Sequence, residues 1–312
     1  MPLWDRLRAA LDDAGIAVSV VRDEPGHVHE VTLRVAPEVT AEVIGLLDDC
    51  GFAPFGPDAG FLAPDGSGWL RVHLGTGQRA RRRAKARGLT VALLGPDGVG
   101  KSTLLAGLAA VYPVPVRQIY MGMWQGAGRP GYTRLHAVGA ILLRPFRVWW
   151  RVGQGAVHSA RGRVVVFDRY TYDALLPITG SWRALKRPYF WVLAHLAPRP
   201  DLVLVLDLPG HVAFARKGEF TPEGLEAVRQ GFLALVPRLN AEVVDAAVAP
   251  EQVRADVVAR IWRHHRARLL GRTSPRPGSA DGVSKCALSR RRPAASSAAP
   301  SAPAPAPPAT PR

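Results

Sequence analysis

With 312 residues, 47% of them hydrophobic, the chain is long enough for two domains with sizeable cores. Its two cysteines, Cys50 and Cys286, are too few and too far apart for a disulfide framework or a cysteine zinc site, which suits a reducing compartment. The net charge of +16 invites a nucleic-acid reading, but Arg79–Arg87 holds six positive charges and the segment from Gly271 onward a net +6; nucleic acid is therefore not an expected partner.

The N-terminus lacks the basic-then-apolar layout of a signal peptide. The longest apolar segment, near Leu135–Trp150, is broken by Arg144 and Arg147 and is too short to span a bilayer. The expectation is a cytoplasmic protein with no membrane contact.

In chain order, residues 1–77 read as a small α+β domain. Leu3–Ala14 and Pro37–Cys50 have helical apolar spacing, while Val18–Val21 and Val28–Val35 alternate as strands do. Phe61–Leu62 and Trp69–Leu74 form a hairpin around the turn-rich residues 64–68. Residues 78–88 are a basic linker. Residues 271–312, rich in Pro, Ala, Ser and Arg, cannot bury a core and are expected to stay disordered.

Between them, residues 89–270 alternate strands with helices. The strands are Leu89–Leu94, Val116–Met121, Arg163–Phe167, Leu202–Leu206 and Glu242–Asp245. The helices are Lys101–Tyr112, Leu135–Ala160, Ala184–Leu196, His211–Lys217, Pro222–Leu239 and Pro250–Leu270. The pattern predicts an α/β fold, a five-stranded parallel sheet with helices on both faces, whose ligand sits at the carboxyl ends of the strands.

The strongest motif is Gly95-Pro-Asp-Gly-Val-Gly-Lys-Ser102 followed by Thr103, a full match to G-x-x-x-x-G-K-[ST] between a buried strand and a helix. Gly95, Gly98 and Gly100 permit backbone angles and close approach that a Cβ would block. The N–H groups of the loop, Pro96 excepted, and those of Asp97, Val99 and Lys101 can form an anion nest over the positive end of the helix. Lys101 sets a cation against the outer phosphates, and the Ser102 hydroxyl can ligate Mg2+.

Asp168 ends the third strand and is the candidate second metal ligand, with Arg169 beside it as a planar fork for phosphate. Asp207, at the end of the fourth strand, reads as structural. Arg216, Lys217 and Glu219, with Arg229 further on, can close over a triphosphate or simply cap a helix end. Arg144, Arg147 and Arg151 share one helical face and suit either an anionic acceptor group or a snorkelling surface beside Trp149 and Trp150.

The glycine-rich loop, Asp168-Arg-Tyr170, Pro200-Asp-Leu-Val-Leu-Val-Leu-Asp207 and the Arg216-Lys217 segment follow one another as in thymidylate kinases, which residues 89–270 resemble. The resemblance implies a P-loop kinase fold, ATP and Mg2+ as cofactors, and Lys101 on the donor phosphates. It further implies Asp97 near the acceptor, Arg169 on the acceptor phosphate, and Arg216 and Lys217 in a lid. Residues 244–250 look like the loop flanking the donor adenine. Where the family has a serine, an asparagine or similar residue and a tyrosine that help seat the nucleoside, this chain has Asp173, Ala174 and Pro177. The resemblance therefore implies phosphoryl transfer without fixing thymidylate as acceptor.

Residues 1–77 are faintly similar to small nucleotidyltransferase domains. Glu30 is the only carboxylate in the strand where the two-metal acids would stand, so this domain is expected to be catalytically dead. His27, His29 and His73 read as scattered surface residues. The function expected is Mg-ATP-dependent phosphoryl transfer to a nucleoside monophosphate or related small phosphorylated acceptor, with a homodimer left open. The alternatives are a non-catalytic ATP-binding regulator or scaffold, and a nucleic-acid-dependent ATPase.

Overall fold

The computed structural model describes residues 3–17, 19–22, 28–55, 60–65, 68–74, 87–122, 134–176, 183–218 and 220–271. Most of the basic linker, the tail beyond Gly271, and His27, Pro177 and Glu219 lie outside them.

The continuous apolar runs become buried parallel strands. In β6 (Thr90–Leu94), Val91 and Leu93 face one side of the sheet, and Ala92 and Leu94 the other; all four are at most 1% exposed. A strand buried on both faces needs apolar residues at every position, which is why the sequence shows a run here and no alternation. β8 (Val164–Asp168) and β9 (Leu202–Asp207) flank it, with β7 (Val116–Tyr120) and β10 (Glu242–Asp245) at the edges. The order is β10-β9-β6-β8-β7, every pairing parallel. One face is covered by α3 (Lys101–Val111) and α8 (Pro250–Leu269) through Leu104, Leu108, Val257 and Ile261. The other face carries α4 (Arg134–Ala160) and α7 (Pro222–Leu239) through Val148 and Phe232. The chain passes from β8 across β6 to β9, so the cleft between their carboxyl ends is the topological switch point.

The first 74 residues build a second, mixed sheet in the order β1-β2-β5-β4-β3. Its strands are β1 (Ser19–Arg22), β2 (Val28–Arg34), β3 (Ala53–Phe55), β4 (Gly60–Asp65) and β5 (Gly68–Leu74). The helices α1 (Leu3–Asp13) and α2 (Thr40–Asp49), the latter entered through a 3-10 turn at Pro37–Val39, cover one face with Leu7, Leu11, Val43 and Leu47. Strand alternation sends Phe61, Ala63, Leu70 and Val72 to that core, while Ala53, Leu62 and Trp69 join the core of the other sheet. The three-residue β3, which the sequence pattern does not predict, exists because it edges β4 there. Cys50 caps α2 and is buried at 5% exposure; Cys286 lies outside the described residues.

No helix among the described residues is long and apolar enough to cross a membrane. α4 nonetheless exposes a stripe of Leu142, Phe146, Trp149, Trp150 and Val157 on the side away from the sheet.

Candidate active site

The loop from Gly95 to Gly100 joins the end of β6 to the start of α3, and its three glycines all have positive φ: 146° at Gly95, 84° at Gly98 and 94° at Gly100. Two of them are also crowded. A Cβ on Gly95 would stand 3.0 Å from the Leu206 carbonyl oxygen, and one on Gly98 only 2.5 Å from that of Ala213. At Gly100 no atom lies within 4 Å, so there the requirement is conformational alone. The loop is thus clamped between β9 and the helix α6 (Gly210–Lys217).

Lys101 opens α3 and is 8% exposed. Its Nζ donates to the carbonyl oxygens of Gly95 (2.8 Å) and Pro96 (2.7 Å), which folds the loop around the ammonium. Burial, helped by the nearby Arg169, lowers its pKa to about 8 against the opposing pull of Asp97, Asp168 and Asp173.

Across the switch point stand Asp168, at the end of β8, and Arg169, whose φ of 65° turns the chain off the strand. The Arg169 backbone N–H still reaches Leu93 O at 3.0 Å, tying the turn to β6. Its guanidinium bonds Asp97 of the loop and, at 3.3 Å, Asp173 of the 3-10 turn Thr171–Leu175. Burial opposes its charge, but Asp173 and Asp97 outweigh that and hold it protonated well above the usual arginine range. Asp173 pays for the arrangement: burial raises its carboxyl to about 6 although Arg169 pulls it down. Asp168 is 7% exposed; one oxygen accepts weakly from Gln118 at 3.5 Å, and Oδ1 is buried with no hydrogen-bond partner. Asp173 Oδ1 is in the same condition. Three carboxylates thus surround one guanidinium and one ammonium, and two buried acceptor oxygens are left without donors.

A cleft of about 520 Å3 opens on the loop and is lined by Asp97, Lys101, Ser102, Thr103, Arg216 and Lys217 among others. The fold therefore brings Asp97–Thr103 of the expected loop, Arg216 and Lys217 to one cleft; Asp168 and Arg169 do not line it, but Arg169 bonds Asp97, which does. Arg144, Arg147 and Arg151 do not line this cleft. Arg151 stands 6.0 Å from the Tyr120 ring centroid at the end of β7. Asp207 is structural as expected. It accepts from Arg229 Nε (2.5 Å) and Nη2 (3.1 Å), while Arg229 Nη1 reaches Glu226 at 2.7 Å. Glu226 also receives the Gly210 N–H at 2.9 Å, and its bonds from Gln230, Gly210 and Arg229 lower its pKa to about 2. Arg229 is therefore a clamp across β9, α6 and α7, outside the cleft.

The opposite wall was not fully read from the sequence. Residues Ala246 and Val248 and the first turns of α8, with Glu251, Val253 and Arg254, complete the cleft. The loop was anticipated; Glu251 and Arg254 were not, although their i, i+3 spacing at a helix start beside that loop was the available signal. In the first sheet, Glu30 pairs with Arg71 at 2.6 Å and lies 3.8 Å from His73. No group of three His, Cys, Asp or Glu suited to a metal occurs among the described residues.

No family model matches the chain. Known proteins do. The thymidylate kinase of Pseudomonas putida GB-1 is 32% identical over 203 residues, covering 55% of this chain and 94% of that protein. A thymidylate kinase of Xanthomonas campestris pv. campestris is 32% identical over 186 residues (53% and 79%). A probable thymidylate kinase of Pyrobaculum aerophilum is 29% identical over 188 residues (55% and 96%). Among solved structures, a thymidylate kinase from Candida albicans aligns at 22% identity with a TM-score of 0.43, covering 56% of this chain and 91% of that one.

Proposed function

The chain belongs to the thymidylate kinase family, and on that footing we propose that it transfers the γ-phosphoryl group of Mg-ATP to a nucleoside monophosphate or a related small phosphorylated acceptor. The observation that carries this reading is the Gly95–Ser102 cradle, closed around a buried Lys101 and facing Asp168 and Arg169 across the switch point. The scaffold alternative is not favoured, because the relatives bear the name of an enzyme.

In this reading the loop N–H groups and Lys101 hold the donor phosphates. Ser102 and Asp168 would hold Mg2+; the buried, unpartnered Asp168 Oδ1 fits a hard cation, for which carboxylate and hydroxyl oxygens are suitable ligands. The ion, when bound, neutralises charge on the phosphate oxygens. Arg216 and Lys217 add positive charge on the far side of the cleft, while Ala246–Ala249 and the start of α8 flank the adenine. Arg169 orients the acceptor, its guanidinium held ready by Asp97 and Asp173. Catalysis on this plan is positioning and charge neutralisation, with little covalent chemistry for the protein to do.

The test is acceptor-dependent ADP formation over a panel of nucleoside monophosphates, nucleosides and phosphosugars, with Mg-ATP as donor. ADP release stimulated by a phosphorylated acceptor supports the proposal. ATP binding with no acceptor raising ADP release above background would sink it and return the scaffold reading.

A further inference from the structure

A second cavity, of about 230 Å3, lies at the other end of the sheet. Thr90, which starts β6, and Asp201, which directly precedes β9, both line it. Thr90 stands the five-residue length of β6 away from the Gly95 loop, about 16 Å at ~3.3 Å per residue.

Val152 and Ala156 of α4, Phe167 of β8 and Tyr170 supply its apolar and aromatic lining, and Arg87, Arg199 and Arg268 line it too. The one carboxylate there is already committed. Asp201 accepts from Thr90 N (2.8 Å), Thr90 Oγ1 (2.7 Å) and both terminal nitrogens of Arg268. Arg268 is fixed further by a bond to Gly88 O. Arg87 and Arg199 are exposed and make no ion pair among the described residues. Three guanidiniums and one carboxylate leave a net charge of +2 on a cavity smaller than the ~300 Å3 at which whole-molecule ligand pockets usually begin. No second carboxylate lines the cavity to balance that charge.

We propose that this cavity is a binding site for a small phosphorylated anion, gripped by Arg87 and Arg199. A phosphate dianion matches the charge, and planar guanidinium forks match its oxygens. The size admits a phosphate or pyrophosphate group and leaves the remainder of a larger ligand outside. The cavity shares no lining residue with the cleft over the phosphate cradle.

Inorganic pyrophosphate is the probe, titrated calorimetrically into the full chain with the cradle saturated by Mg-ADP. The expected result is a second saturable event that weakens about tenfold or more in the double variant Arg87→Ala, Arg199→Ala, while Mg-ADP affinity and melting temperature stay within error. Both side chains are exposed, so this variant folds. Absence of a saturable second event overturns the proposal. So does unchanged pyrophosphate affinity in the double variant, which assigns the anion to the basic linker or tail. Replacing pyrophosphate by phosphate distinguishes a site for one phosphoryl group from a site for two.

Discussion

At the residue scale, the cradle is legible because its parts are consecutive: three glycines, a lysine and a serine at fixed spacing can only be read one way once a strand precedes and a helix follows. Asp168 is legible for a related reason, since a carboxylate ending an apolar run must emerge where the sheet meets solvent. The pairing of Arg169 with Asp173 is not, because it depends on the positive φ of Arg169 and on the 3-10 turn that follows. Lys101 yields a prediction at this scale. Its pKa of about 8 reflects burial among neighbours that do not fully compensate its charge, and an arriving polyphosphate restores that compensation and raises it. Bound pKa above free pKa means that affinity is at its full value below pH 8 and falls as pH rises beyond it, by up to about tenfold per unit. Titrations of Mg-ADP from pH 7 to 9.5 check this, and proton uptake on binding near pH 8 should appear as a buffer-dependent heat. A flat affinity profile contradicts it.

At the element scale, nearly every helix and strand of the main sheet was predictable from apolar runs and periodicity, whereas the contacts that set α6 in place were not. The Gly98 approach to Ala213 joins residues 115 positions apart and the Asp207–Arg229 bond residues 22 apart, so neither has a local signature. α6 carries Arg216 and Lys217 at its last turn, so the clamp governs where those charges stand. Arg229→Ala should cost about 1–2 kcal/mol in urea unfolding, since these are charge-assisted bonds at partly exposed groups. It should also raise KM for ATP several-fold with a smaller change in kcat. Gly98→Ala is expected to be worse for binding than for stability, because relief of the 2.5 Å approach must displace the loop from α6. Nucleotide affinity of the folded Gly98→Ala protein, measured beside its melting curve, checks that ranking.

At the scale of the whole molecule, the two sheets are tied by aromatic packing that the sequence conceals. Trp69 of β5 donates to Val111 O at the end of α3 (2.6 Å) and packs edge-on against Tyr112 (5.3 Å) and Trp262 of α8 (5.1 Å). Trp262 donates to Gly51 O at 3.2 Å, Arg266 bonds Phe52 O and Asp48, and the Tyr112 hydroxyl meets His265 at 3.2 Å. A hairpin read from alternation alone says nothing of this, because Trp69 belongs to the face that looks away from its own helices. α3 begins at the cradle and α8 begins beside the cleft, so Asp48, Gly51, Phe52 and Trp69 of the first sheet's unit grip the far ends of both elements that shape the nucleotide site. The two units should therefore melt together, and Trp69→Ala should lower the single transition by about 3–5 kcal/mol. A calorimetric trace in which the transition of residues 89–270 stays put and a smaller one moves away would contradict that coupling.

The central claim is that the Gly95–Ser102 loop and Lys101 hold the phosphates of a nucleotide. Calorimetric titration of Mg-ATP into the native chain and into Lys101→Ala addresses it most directly. The account predicts one saturable site in the native chain and a loss of about a hundredfold or more in the variant, whose melting curve remains cooperative. Equal affinity in the two proteins, or no binding by either, would contradict it.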